Sequence, residues 1–370
     1  MSLRDFAYAL GEICSHSLLA PGRPLTWTII ANPIAGGFTI RSRWKRHQAG
    51  LKDALEKAGN QSRRKDAGPS RTAREEGGEL GGLGLIPTRE PGHAGRIVRA
   101  LLDEAAASAD RASLYLLITA GGDGTSLESL IPLFEAPAAL RSRFAVLRLP
   151  MGTGNDGADA WELGGALDLL CCPSRIEPAR ALRLTTATAG KGPFLAFNIL
   201  SVGLDAFVTH MTNRMKGNLP GDSYKLWVDI AALFYDRLYR VGPLEVRAFD
   251  ETGRTVQAFR ETLLLLAVGV SGNRTYGSHK RILPDDRNVC GIRQMPLLRK
   301  LALKGLFATG THADKPESIL FNADRLEFRG EYPILAQMDG ESVLLRREDF
   351  PAAIERTEAA IPVIRRLTLP

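Results

Sequence analysis

The sequence predicts an α/β protein of two domains: a parallel α/β sheet domain, then a β-sandwich-like second domain. Three observations predict it. Glycine-rich loops read N-P-I-A-G-G at 32–37, G-G-D-G-T at 121–125 and P-M-G-T-G-N-D at 150–156. Each follows an apolar run with strand character, at 25–31, 114–120 and 144–149. Repeated strand-then-glycine-turn units build a ligand edge along a parallel sheet. Beyond about residue 178 the chain changes to a succession of short strands.

The elements follow in order. Residues 1–20 carry Arg4, Asp5 and Glu12, lack a signal-peptide pattern, and suit a short amphipathic helix. After the strand at 25–31, the spacing of Trp44, Leu51 and Leu55 predicts a helix over 43–58. Residues 59–82 are polar, basic and glycine-rich, and read as a mobile surface loop. A short strand at 84–87 and a helix over 92–107 come next, the helix with Ile97, Val98, Leu101 and Leu102 on its apolar side. A helix at 127–134 separates the strands at 114–120 and 144–149, and the alternation implies right-handed parallel crossovers. The second half reads as strands at 180–188, 194–202, 244–249, 255–270, 318–328 and 334–338, in two packed sheets. Residues 223–239 read as its one long helix, and 350–366 as a last amphipathic helix with a proline inside.

Composition sets the class. Hydrophobic residues make up 44% of 370 and charged residues 24%, enough apolar content to bury real cores. The net charge of +7 suits an anionic partner. The charge is uneven: residues 41–74 hold 11 Lys/Arg against 3 Asp/Glu, a solvated face or a basic lip for phosphate or membrane. The four cysteines show no C-x-x-C spacing, which fits a reduced, cytoplasmic setting. No apolar run is long enough to span a bilayer. No recognised nucleic-acid module accompanies the basic stretch, so nucleic acid is not an expected partner.

The loops carry the chemistry. A phosphate needs inward-pointing N–H donors and no side chain in the way, and glycine supplies both. Gly36-Gly37 and Gly121-Gly122 sit where a strand hands over to a helix, whose N-terminus adds partial positive charge. Asp123 projects a carboxylate into that edge and Thr125 a hydroxyl. Gly152 and Gly154 again permit close approach, while Thr153, Asn155 and Asp156 offer polar contacts to a nucleotide or metal. Walker, protein-kinase and H-E-x-x-H motifs are missing from the sequence.

The motifs in order resemble the diacylglycerol kinase catalytic-domain family, particularly bacterial lipid kinases related to sphingosine kinases. Besides the three loops, the matches are T-x-x-x-G-H-A from Thr88, N-x-x-x-x-G-x-D-A from Asn198 to Ala206, Asn273 with Tyr276-Gly277, Pro284-Asp285, and D-G-E at 339–341. The resemblance implies an ATP- and Mg2+-dependent kinase for a lipid hydroxyl, diacylglycerol-like or sphingoid-like. It implies a nucleotide-binding domain over 25–165 and a substrate domain over 166–344. The segment at about 345–370 would return to the first domain, and the active site would lie in the cleft between the two. Asn32, Thr88, Gly122, Thr125 and Asn155 would contact the nucleotide, with Pro33, Gly36, Gly121, Gly124, Gly152, Thr153 and Gly154 completing the cradle. Asp123 and Asp156 would serve the metal, with Asp123 also catalytic. Glu341 would be the general base, with Asp339 beside it. A lipid substrate implies peripheral contact at the inner membrane face, with 41–74 as one candidate surface; a homodimer stays open.

Some positions depart from that family. Ala35 stands where a serine is usual, the glycine triplet becomes Gly277-Ser278-His279, and the usual Asp-Gly becomes Cys290-Gly291 after Val289. The last change removes a support for a second metal, which Asp285 and Asp286 would have to replace. Two other readings stay open: an NAD kinase-like small-molecule kinase, and a nucleotide-binding pseudokinase with a regulatory role.

Overall fold

Ser2 begins the first helix: its hydroxyl accepts the Asp5 N–H (3.2 Å), and the Asp5 carboxylate accepts the Ser2 N–H (2.7 Å). This reciprocal cap satisfies two amides that a helix start would leave orphaned. The computed structural model describes residues 2–62, 71–74, 83–215, 235–276 and 280–367. The chain forms two units, Met1–Ala179 with Ala359–Pro370, and Arg180–Glu358.

The first unit runs α1 (Leu3–Ser15), β1 (Leu25–Ala31), α2 (Gly36–Thr39), α3 (Arg41–Ser62), β2 (Arg71–Ala73), β3 (Leu85–Pro87), α4 (His93–Ala107), β4 (Leu114–Gly121), α5 (Asp123–Glu135), α6 (Ala138–Arg141), β5 (Phe144–Pro150), α7 (Leu163–Cys171) and β6 (Ser174–Ala179). β2 and β3 share the outer edge of β1; β4, β5, the strand Ile361–Arg366 and β6 follow across the sheet. Among the described strands of this sheet, only β6 is antiparallel to its neighbour. β4 and β5 are buried along their whole length, as strands covered on both faces must be. Phe6, Leu10 and Ile13 of α1 join Ile29, Leu116, Leu147 and Leu167 in one core. α7 and β6 lie in this unit, beyond the expected boundary at 165.

Two expectations fail here. Residues 350–366 are not a helix but two strands, Ala352–Arg356 and Ile361–Arg366. Pro362 has no amide hydrogen for a helix interior, and the β-branched Ile354, Ile361, Val363 and Ile364 suit a pleated, buried surface. The loop predicted over 59–82 is also cut back. α3 continues to Ser62 and Arg71–Ala73 pairs with β1, while 63–70 and 75–82 lie outside the described residues. Most of the helix predicted over 223–239 likewise lies outside them, leaving Tyr235–Leu238.

The second unit runs β7 (Leu182–Thr185), β8 (Phe194–Ala196), β9 (Ile199–Gly203), α8 (Leu204–Met215), α9 (Tyr235–Leu238), β10 (Pro243–Phe249), β11 (Thr255–Gly269), β12 (Arg274–Tyr276), β13 (Lys280–Leu283), β14 (Val289–Arg293), α10 (Leu297–Thr309), β15 (Ser318–Phe321), β16 (Arg325–Gly330), β17 (Ile334–Met338), β18 (Glu341–Leu345) and β19 (Ala352–Arg356). Eleven strands of the sandwich-like unit form one curled antiparallel sheet, and β12 pairs with β13 apart from it. The first half of β11 pairs with β10, and its second half with β9 and β14. The two layers therefore share a strand, and Leu184, Val202, Val246, Leu266 and Phe328 meet in one core between them. The single strand expected over 318–328 is two, broken where the Ala323 N–H turns to Asn288 Oδ1 (3.0 Å) and the Asp324 N–H to the Phe249 carbonyl (2.8 Å).

The strand assignment at the C-terminus is testable. Ile364 is fully buried in the first core, so Ile364→Ala should cost about 2–5 kcal/mol in urea denaturation with an unchanged m-value. A loss below about 0.5 kcal/mol, the behaviour of a surface position, contradicts it.

Candidate active site

The three glycine loops leave the same, carboxyl-terminal edge of adjacent strands. Ala31 of β1 lies opposite Ala120 of β4, and Gly121 of β4 opposite Pro150 of β5. The first loop is a tight turn. The Asn32 amide donates to the Ala120 carbonyl (2.9 Å), and the Asn32 carbonyl accepts the Ala35 N–H (3.0 Å). The Asn32 side-chain oxygen accepts the Ile34 N–H (3.2 Å). Ala35 is the N-cap of α2 and offers no side-chain cap, so the missing serine hydroxyl falls at the helix start. Pro33 is half-buried within the turn. Thr88 follows β3 and donates its N–H to the Ala31 carbonyl (2.7 Å), placing it beside this loop.

The loops are locked together through backbone. The Gly37 N–H donates to the Met151 carbonyl (2.7 Å), and a Cβ at Gly37 would stand 2.7 Å from that oxygen. A Cβ at Gly152 would land on the Cα of Gly122, and one at Gly121 would land on the Thr125 side chain. Thr153 Oγ1 faces Gly36, 3.3 Å from where its Cβ would be. Arg43 Nη1 donates to the Gly152 carbonyl (3.3 Å), so α3 also holds the third loop. In the sequence, Arg43 stands out only as the start of a helix within a basic stretch.

Asn155 closes the third loop on itself: it adopts a left-handed φ of 61°, and its Oδ1 accepts the Gly152 N–H (2.6 Å). Asn tolerates this conformation better than most residues. Thr125 is buried in the first turn of α5, where its carbonyl accepts the Ser129 hydroxyl (2.8 Å), and Gly124 is half-buried beside it.

Two carboxylates converge on Gly154. A Cβ there would stand 3.0 Å from Asp123 Oδ2 and 3.1 Å from Asp156 Oδ2. Asp123 begins α5, where the helix end favours negative charge, and its Oδ1 accepts the Gly157 N–H (3.0 Å). Burial raises the Asp123 pKa, opposed by that bond and by Arg148. Arg148 forms a buried pair with Asp159 (2.7 Å), whose second oxygen accepts the Arg148 N–H (2.8 Å). The only sequence signal for this pair is one arginine inside an apolar strand. Among the described residues no three His, Cys, Asp or Glu side chains form a metal cluster. The two converging carboxylates suit Mg2+, which takes one or two carboxylates and completes its octahedron with phosphate and water.

In the second unit, Asp339 (φ 45°) and Gly340 (φ 98°) form the two-residue turn joining β17 to β18, as Asp-Gly hairpins do. The Asp339 carboxylate accepts the N–H groups of Phe197, Asn198 (3.1 Å) and Ile199 (2.9 Å). It ties the turn to β9. The Gly340 N–H donates to Gln337 Oε1 (3.1 Å), Gln337 Nε2 to Ser201 Oγ (3.0 Å), and Ser201 Oγ to Asp205 Oδ2 (2.6 Å). Asn213 Nδ2 holds the Gly340 carbonyl (2.8 Å), and His210 meets Ser342 (3.2 Å). Glu341 is thus the exposed first residue of β18, on a turn fixed from both sides. Burial pushes the Asp205 carboxyl up to about 6. Ser201, Gln337, His210 and Asn213 were not singled out from sequence.

Asp285 is held by the Arg287 guanidinium (3.0 Å), which lowers its pKa, and Asp286 accepts Asn273 Nδ2 (2.7 Å). Cys290 is buried in β14. Residues 277–279 lie outside the described residues.

The first unit is a parallel α/β sheet with interlocked glycine loops and paired carboxylates at its carboxyl edge. Residues 26–185 match the model of the diacylglycerol kinase catalytic domain. The fold is shared with solved structures from Bacillus anthracis str. Sterne. One described as a putative diacylglycerol kinase is 15% identical with a TM-score of 0.55, covering 92% of this chain and 96% of its own. A diacylglycerol kinase from the same strain is 14% identical with a TM-score of 0.51, over 92% and 96%. Against curated proteins the sequence gives no significant match.

Gly152→Ala should cost roughly 1–3 kcal/mol by urea denaturation and raise amide exchange across 150–157. Gly59→Ala, with open space around it, should be neutral or slightly stabilising; equal effects would contradict the interlock. Asp205 adds a pH dependence. Its raised native pKa means the native state binds the proton more tightly, so stability is full below about pH 4 and falls as pH rises to about 6. The span is at most roughly 3 kcal/mol. Asp205→Asn should flatten that slope in denaturation at stepped pH, and an unchanged slope contradicts the assignment.

Proposed function

We propose that the protein is an ATP-dependent lipid kinase, moving the γ-phosphoryl group of ATP to a diacylglycerol-like or sphingoid-like hydroxyl. The observation that supports it most is the convergence of Asp123 and Asp156 on Gly154, inside the segment that matches the diacylglycerol kinase catalytic domain. Phosphoryl transfer is mainly positioning and charge stabilisation. The loops at 32–37, 121–125 and 150–156 present backbone N–H groups with no Cβ in the way, and Asn32, Thr88, Thr125 and Thr153 add polar contacts to the nucleotide. Mg2+ held by Asp123 and Asp156 would neutralise charge on the phosphates. Arg43 and Asn155 hold the third loop in shape.

Glu341 is the proposed base. As the lipid oxygen bonds to the γ-phosphorus, the bond to the bridging oxygen of ADP breaks and the hydroxyl proton passes to the Glu341 carboxylate. Asp339 keeps its three amide partners and acts as a positioning residue for that turn. An acyl-chain acceptor resides in a bilayer, so the protein would work as a peripheral protein at the cytoplasmic membrane face.

Transfer from radiolabelled ATP to diacylglycerol and sphingosine in mixed micelles tests this. Asp123→Asn and Glu341→Gln should each lower turnover at least about a hundredfold with unchanged thermal unfolding. Wild-type turnover in both variants would overturn the roles. Tight ATP binding without turnover on any lipid would overturn the activity in favour of a regulatory nucleotide-binding protein.

A further inference from the structure

α10 buries a cation and exposes leucines. Lys300 is 7% exposed and paired with Asp236 (2.9 Å), while Arg299, on the surface, is held by both oxygens of Glu317 (2.6 and 3.1 Å). In its first turns Leu297 is 39% exposed, Leu298 80% and Leu301 46%. Ala302 is exposed beside them, and a Cβ at Gly305 would meet nothing within 4 Å. A soluble helix normally turns its apolar stripe to the core and its charges to water. Clustered exposed leucines of this kind mark an interaction surface.

The neighbouring strand adds charge. Exposed Lys280 and Arg281 lie on β13, which packs against α10, and Arg281 stands beside the Gly310 cap of that helix. An apolar helix face next to cations complements a bilayer with anionic headgroups: leucines enter the acyl boundary while Lys and Arg meet the phosphates.

We infer that the face of α10 formed by Leu297, Leu298 and Leu301, with Arg281 and Lys280 at the helix's C-terminal end, is the surface by which this protein docks on an anionic membrane. The inference deepens the lipid-kinase reading, on which it rests for the reason a bilayer is met at all. It places the contact on the second unit rather than on the basic stretch at 41–74.

Co-sedimentation of the full chain with vesicles tests it, without ATP or acceptor lipid. Vesicles of phosphatidylcholine alone are compared with phosphatidylcholine mixed with phosphatidylglycerol. The wild type should bind the mixed vesicles more strongly. The double variant Leu298→Asp with Leu301→Asp should lose at least about tenfold in partitioning, and Leu298→Ser with Leu301→Ser should lose binding in the same direction. Arg281→Glu should weaken binding about fivefold or more, on mixed vesicles only. Lys45→Glu with Arg46→Glu should bind like wild type. Unchanged binding by the leucine variants at unchanged thermal unfolding overturns the inference. So does a wild type that ignores vesicles but sediments as a dimer that the leucine variants dissociate. Turnover on a short-chain acceptor free in solution should be unchanged in the leucine variants; a wild type that docks but never transfers phosphate would sink the kinase reading and leave the docking surface standing.

Discussion

The candidate active site depends on one constraint: three loops approach one another so closely that backbone touches backbone. Gly37 meets Met151, and Gly152 meets Gly122, at distances no side chain could share. The register of β1, β4 and β5 brings the loops to one edge, and glycine lets them close. Absence of Cβ matters twice here. It permits the packing, and it leaves amide donors uncovered for an anion. The same packing presses Asp123 and Asp156 toward Gly154.

The acidic residues divide by what surrounds them. Asp339 accepts three backbone amides, Asp159 pairs with buried Arg148, Asp285 lies in the fork of Arg287, and Asp205 ends a buried hydrogen-bond chain. These build the loops and turns on which chemistry would be mounted. Asp123 and Asp156 both stand against Gly154, Asp123 also accepting the Gly157 N–H, and Glu341 opens β18 as an exposed residue. A carboxylate held by three backbone amides is a poor proton acceptor, which fits Asp339 to the positioning role proposed for it.

Much of this was legible in the sequence. The strands at 25–31, 114–120 and 144–149 are apolar runs ended by glycine or proline, and their burial on both faces makes that pattern unambiguous. The segment at 350–366 was not: a strand buried on both faces and a short amphipathic helix are equally rich in apolar residues, and only the partner strands decide. The Asp-Gly-Glu turn was readable as a turn. Its supports were not, because Gln337 reaches Ser201 across 136 residues and Asp339 reaches 197–199 from a similar distance. Arg148 left a trace as a charge in an apolar strand, but its partner is fixed only by the folded loop.

The central claim is that this loop assembly hands phosphate to a lipid. The most direct measurement incubates the protein with γ-labelled ATP, Mg2+ and a total bacterial lipid extract, and identifies labelled products by mass spectrometry. The account predicts label in a chloroform-soluble lipid bearing one added phosphate. Label confined to a water-soluble acceptor such as NAD, or to no acceptor while ATP is bound, would contradict it.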